Sequence, residues 1–311
     1  MRLGLLSTAR INDSLLGGAS ISSEVDVAAV ASRDLPRARA YADARGIALA
    51  FGSYEELLAS SEVDAVYVSL PNGLHAEWAV RALEAGKHVL VEKPLSSRVA
   101  EVERAFDAAS AAGCVLTEGF MWRHHPQTRL VSSLVADGVV GEVRLVRASF
   151  SFTLGDEDPR WSPSLDGGSL MDVGCYGVSA ARLLCGEPTD VAGFAVDRGG
   201  VDTRFAAVLR FGDGGPLATV DCGFDLPMRK GLEVVGSDGV LTVADPWSAE
   251  ERRIELRRVG SDEVEVFEAE DANMYALELD DLALAVRSGR APLLGREDAV
   301  GQARVLEALL S

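Results

Sequence analysis

The run Glu92-Lys93-Pro94 is where residue types and spacing in this chain first suggest chemistry. It follows the apolar stretch Lys87-His88-Val89-Leu90-Val91, so a charged pair falls at the tip of a buried strand. Proline fixes its own φ and restricts the residue before it, which helps to hold the Lys93 side chain in one direction. An ammonium there can polarise a carbonyl or hold an alkoxide, and Glu92 beside it favours the charged form. A surface salt bridge at a strand end is the plainer alternative. Upstream, Val66-Tyr67-Val68-Ser69-Leu70-Pro71-Asn72 leads through Gly73-Leu74 to His75. Ligands of an open parallel sheet sit beyond the carboxyl ends of its strands, which puts Leu70, Asn72 and His75 in position to face one. Asn72 also fits a simple helix cap.

Two other segments have the character of a nucleotide site. The turn after the first strand, Ser7-Thr8-Ala9-Arg10-Ile11-Asn12, occupies the place of a G-x-G-x-x-G fingerprint, with Ser7, Ala9 and Asn12 in the glycine positions. Small side chains at Ser7 and Ala9 permit close backbone approach, and the Ser7 and Thr8 hydroxyls add donors for phosphate. The same residues also fit an ordinary strand–helix turn. The second strand ends Ala31-Ser32-Arg33-Asp34-Leu35-Pro36-Arg37, without the acidic residue that usually holds an NAD ribose. Ser32, Arg33 and Arg37 suit a 2′-phosphate instead, which favours NADP, with NAD as the other option. Asp34 suits a helix N-cap. A solvated loop with ordinary arginines is the competing reading.

These residues need elements that bring strand tips together. Short apolar runs at 2–6, 26–31, 64–70, 88–92 and 114–119 alternate with helical stretches at 35–45, 54–60, 75–85 and 99–112, the pattern of a parallel sheet covered on both faces. Gly86 is placed to stop the third of these helices. After Pro126 the texture changes. Strands at 143–154, 191–198, 204–211, 216–225, 230–236, 239–243, 252–258 and 263–267 follow one another across glycine-rich turns, as in an antiparallel sheet. Helices near 172–184, 273–288 and 297–310 complete the pattern. The reading is an α/β chain: a Rossmann domain over 1–122 and an α+β domain with an open, mainly antiparallel sheet over 123–311. The C-terminal helix, 296–311, is a candidate to pack back onto the first domain.

The 311 residues suffice for two domains, and 48% hydrophobic with 25% charged residues fits a soluble globular protein. Formal charge is 30 − 48 = −18, so the surface repels nucleic acid. No secretory signal or membrane-spanning run is visible, which gives a cytoplasmic address and no membrane partner. Cys114, Cys175, Cys185 and Cys222 are scattered, and the four histidines show no metal-ligand spacing.

Asn72, His75, Gly86-Lys87-His88-Val89 and Glu92-Lys93-Pro94 together resemble the glucose–fructose oxidoreductase / inositol dehydrogenase (Gfo/Idh/MocA) family. The runs Glu118 to Pro126 and Gly167 to Tyr176 resemble that family's domain junction and second signature. Tyr176, where many members carry histidine, resembles the branch with dihydrodiol dehydrogenase and NADP-dependent xylose dehydrogenase. The resemblance implies Lys93 and Tyr176 as a catalytic pair, with Asp172 one helical turn before Tyr176 orienting a substrate hydroxyl. It implies hydride transfer between a nicotinamide and a sugar or polyol carbon. A trans-dihydrodiol substrate, and a regulatory protein that binds NADP without turnover, are the alternatives. Arg123, Arg160 and Trp161 are candidates for the substrate wall; Trp161 serves equally as a structural aromatic. Related proteins imply a homodimer or homotetramer.

Overall fold

The computed structural model of the chain describes residues 1–311. They divide into two compact units, Met1–Met121 with Asn273–Val300, and Trp122–Ala272 with Gly301–Ser311. Residues 273–300, expected in the second domain, thus pack with the first, and of the C-terminal helix only its opening residues go with them. The reason is apolar burial: Leu279, Leu282 and Ala283 join Leu3, Leu5, Leu15 and Leu90 in one core cluster.

The first unit runs β1 (Arg2–Leu6), α1 (Asn12–Ala19), β2 (Asp26–Ala31), α2 (Leu35–Arg45), β3 (Leu49–Phe51), α3 (Tyr54–Leu58), β4 (Ala65–Val68), α4 (His75–Glu84), β5 (His88–Glu92), α5 (Val99–Ala112) and β6 (Leu116–Gly119). Its six strands are all parallel, in the order β3-β2-β1-β4-β5-β6. The order reverses between β1 and β4, the switch point at which doubly wound sheets open a crevice. Residues Ala65–Val68 are wholly buried, which is why this strand shows a continuous apolar run and no alternation.

The second unit contains α6 (Pro126–Ala136), β7 (Val143–Thr153), α7 (Cys175–Cys185), β8 (Asp190–Arg198), β9 (Val201–Arg210), β10 (Leu217–Gly223), β11 (Asp225–Gly236), β12 (Gly239–Val243), β13 (Arg253–Arg258) and β14 (Val264–Glu268). Eight strands form one sheet, β14-β13-β12-β11-β7-β10-β9-β8, antiparallel except for the pair β7 and β10. Helix α7 packs across β7 and β10 on one face. The other face exposes Phe194 (87%), Val196 and Val208, which the β8–β9 register places together. The chain ends with α8 (Met274–Ser288) and α9 (Arg296–Leu310). Gly18 lets α1 and α8 approach closely, since a Cβ there would lie 2.6 Å from Tyr275 Cβ.

Candidate functional site

In the first unit the sequence candidates gather at the carboxyl ends of the parallel strands. Ser7 follows β1 with φ 151°, a conformation that favours glycine, at the first glycine position of the fingerprint. Its hydroxyl compensates. Ser7 Oγ donates to the Ser69 carbonyl at 2.8 Å, lies 2.8 Å from Ser69 Oγ and accepts from the Ala9 N–H at 3.1 Å. Asn12, fully buried, donates to the Ser7 carbonyl at 2.9 Å and closes the turn over Thr8, Ala9, Arg10 and Ile11.

The tip of β2 meets that turn. Arg37, in the first turn of α2, donates from Nε to Thr8 Oγ1 at 2.8 Å, while Ser32, just past the end of β2, is buried and Arg33 is exposed. Asp34 stands at the N-cap of α2 with extended backbone, as expected, but its side chain makes no capping bond. A hydroxyl, a guanidinium and a buried serine at one strand tip fit a 2′-phosphate better than a bare ribose.

His75 opens α4 and is 1% exposed. Its Nδ1 lies 2.8 Å from the Pro94 carbonyl and its Nε2 lies 2.6 Å from that of Leu70. The ring therefore spans the end of β4 and the Lys93–Pro94 turn, whose peptide bond is cis. Asn72 begins the short 3-10 turn between them. At the tip of β5, Glu92 accepts a short hydrogen bond from the Tyr67 hydroxyl, and its Oε2 accepts from the Lys93 N–H at 3.3 Å. The chain has three lysines. Lys87 Nζ is tied to the Ser60 and Val63 carbonyls at 2.7 and 2.8 Å, and Lys230 pairs with Asp245 at 3.1 Å.

In the second unit the residues from Leu170 to Gly174 form a π-helical turn that leads straight into α7. Asp172 sits in the turn, and Tyr176 at the start of the helix is 5% exposed. The Tyr176 ring is clamped edge-on by Phe150 at 5.4 Å and Trp247 at 5.6 Å. Trp247 in turn donates to the Ser149 carbonyl at 2.9 Å. Asp202 on β9 anchors the turn, accepting from Ser169 Oγ at 2.5 Å and the Leu170 N–H at 2.8 Å. Burial pushes the Asp202 carboxyl up, and these two donors counter part of that rise. Gly168 is required here. It adopts φ 110°, and a Cβ would lie 2.2 Å from Asp202 Oδ1.

Asp172 is ion-paired. Arg160 Nη1 lies 2.7 Å from its Oδ2, while Nε and Nη2 of the same guanidinium hold Asp158 at 2.9 and 3.0 Å. Burial opposes the Arg160 charge, but the two carboxylates outweigh it and hold it charged. Trp161 donates to the Gly155 carbonyl at 2.8 Å, and Arg198 stacks over its ring at 4.8 Å. One of its faces is thus already covered, which sharpens its structural reading. Arg123 donates to Ser179 Oγ at 3.0 Å. Sequence reasoning missed Phe150, Trp247 and Asp202. Nothing in the local pattern of a strand distinguishes an aromatic or acid that braces a helix from any other inward residue.

A parallel sheet with a phosphate-ready turn at its switch point, and a second unit carrying a braced tyrosine and a paired aspartate, define a two-domain dinucleotide-dependent oxidoreductase. A model described as an oxidoreductase family with an NAD-binding Rossmann fold matches residues 8–120, and the GFO/IDH/MocA C-terminal domain matches residues 128–242. The chain belongs to the Gfo/Idh/MocA family. It is 43% identical to a D-xylose 1-dehydrogenase (NADP(+)) of Haloferax volcanii, over 99% of this chain and 96% of that one. It is 38% identical to a dTDP-3,4-didehydro-2,6-dideoxy-α-D-glucose 3-reductase of Streptomyces violaceoruber, over 80% and 74%. Among solved structures, a 3-ketoreductase from Actinomadura kijaniata in complex with NADP and TDP-benzene superposes with a TM-score of 0.92 at 33% identity, covering 100% and 97% of the two chains. Variants of that reductase with a tyrosine changed to phenylalanine and a lysine changed to alanine have also been solved. No helix of the chain is long and apolar enough to cross a membrane.

Proposed function

We propose that the chain is an NADP-dependent dehydrogenase or reductase acting on a CH–OH or carbonyl carbon of a free sugar. The observation that carries the cofactor choice is the Arg37–Thr8 hydrogen bond, which ties a guanidinium of the first turn of α2 to the turn after β1. With its 2′-phosphate held there, NADP would supply the hydride chemistry through its nicotinamide. The chain's own residues handle position and the proton. Tyr176 exchanges the proton of the substrate oxygen, and the Lys93 ammonium favours its phenolate, because a phenol of ordinary pKa near 10 is a poor base at neutral pH. Asp172 accepts a hydrogen bond from a neighbouring substrate hydroxyl, while its Oδ2 is held by Arg160 Nη1.

A neutral sugar is preferred to a nucleotide-linked one because Arg160, the guanidinium of this loop, is neutralised by Asp158 and Asp172 and offers no clamp for an anion. The exposed Phe194, Val196 and Val208 support self-association through the open sheet face, as a dimer or tetramer, which light scattering measures. The deciding experiment is a panel of aldoses, inositols, a nucleotide keto-sugar and a trans-dihydrodiol, each with NADP and NAD, followed by reduced-cofactor absorbance. Fastest turnover with a free aldose and NADP supports the reading; turnover restricted to the nucleotide sugar or the dihydrodiol replaces it.

A further inference from the structure

Four ionisable side chains converge in the interior of the first unit: Tyr67 from β4, Glu92 from β5, and Tyr275 and Glu278 from α8. Tyr67 is 0% exposed and Glu278 only 2%, and the Oε1 of Glu278 has no hydrogen-bond partner. Glu92 is differently placed. One of its oxygens takes the Tyr67 hydroxyl and the other takes the Lys93 N–H. Donors at both oxygens suit a carboxylate, whereas an orphaned buried oxygen suits a neutral acid.

We propose that Glu92 and Glu278 hold one proton between them at neutral pH, with the proton on Glu278 and the charge on Glu92, the residue next to Lys93. Two ionised carboxylates repel, and desolvation weighs on the fully buried Glu278 rather than on the half-buried Glu92. Burial pushes the Glu278 carboxyl well up, and the negative charges of Glu92 and Asp281 push it further. Burial and Glu92 likewise raise Tyr67 and Tyr275, so both remain phenols that can donate; Lys93 pulls Tyr275 slightly the other way. Asp281, on the same helix, is occupied by Arg290. The cluster therefore keeps a single negative charge, fixed on the carboxylate that grips the Lys93 backbone.

Glu278→Gln keeps the shape and a donor but cannot ionise; Glu278→Leu removes both. A buried acid whose folded pKa is raised holds its proton while the unfolded chain loses it, so wild-type stability falls as pH rises above the unfolded value. Chemical unfolding of the full chain from about pH 5 to 7 should show the folding constant of Glu278→Gln gaining on wild type as pH rises, by up to about tenfold per pH unit. Parallel curves would mean that Glu278 is charged and would overturn the one-proton pair. The second arm rests on the proposed NADP-dependent activity, and the unfolding arm does not, so their failures are separable. In it, Glu278→Gln and Glu278→Leu, both neutral like the protonated acid, keep the pH profile of kcat. A profile moved in the same direction by both would mean that Glu278 carries charge in the wild type and would overturn the pair.

Discussion

Replacing Arg37 by alanine tests the cofactor assignment most directly. The guanidinium spends Nε on Thr8 at 2.8 Å, and the residue is exposed. A hydrogen bond from such a group to phosphate contributes about 1.5–3 kcal/mol. Exposure and screening pull the value towards the lower figure. The expected loss is therefore about 10-fold to 150-fold in NADPH affinity. NADH lacks the 2′-phosphate and should bind within about threefold of its wild-type affinity, since the contact removed never reached it. Fluorescence titration with both reduced cofactors reads the difference without any knowledge of the substrate. Repeating it near 1 M salt, where the Debye length shrinks to about 3 Å, should narrow the gap between variant and wild type. Arg37→Lys keeps the charge but not the planar fork, and should fall between the two. Equal weakening of NADPH and NADH, or no change in NADPH, refutes the reasoning.

Tyr176→Phe leaves the ring clamped by Phe150 and Trp247, so the melting temperature and NADPH binding should hold while kcat falls about 10²–10⁴-fold; a loss under tenfold gives the proton to another group. Asp202→Ala strands the donors Ser169 and Leu170, and should cost about 2–5 kcal/mol in thermal or urea unfolding, with Asp202→Asn losing less. Ser7→Gly exchanges about 1–3 kcal/mol of backbone strain for lost hydroxyl bonds and should be close to neutral. Ser7→Ala keeps the strain and loses the bonds, so it should unfold at the lower temperature; the reverse order disproves the strain.

Much of the fold was legible because parallel strands announce themselves as apolar runs and their helices as amphipathic ones. Strand β3 escaped, being three residues long, and α6 escaped because the change of texture after Pro126 drew attention from a helix opening on proline. The return of 273–300 to the first unit was not visible, since local periodicity marks an apolar face but not its partner. Spacing singled out the Lys93 tip, the Ser7 turn and the arginines after β2 as candidates, each beside a plainer alternative, and the structure puts all three at the ends of parallel strands. Tyr176 came through resemblance. Asp202 and Glu278 were not legible at all: an isolated acid reads as a surface residue until the tertiary structure buries it.

The scarcity of lysine has a consequence for handling the protein. Amine-directed reagents find only three ε-amines and the chain's α-amine, which donates to the Glu24 carbonyl at 2.8 Å. Lys87 and Lys230 already spend their amines on internal partners. Biotinylation, dye labelling or coupling to an aldehyde support through side-chain amines thus has Lys93 among only three ε-amine targets. Exposed carboxylates such as Glu62, Asp156 and Glu268 are more numerous points of attachment.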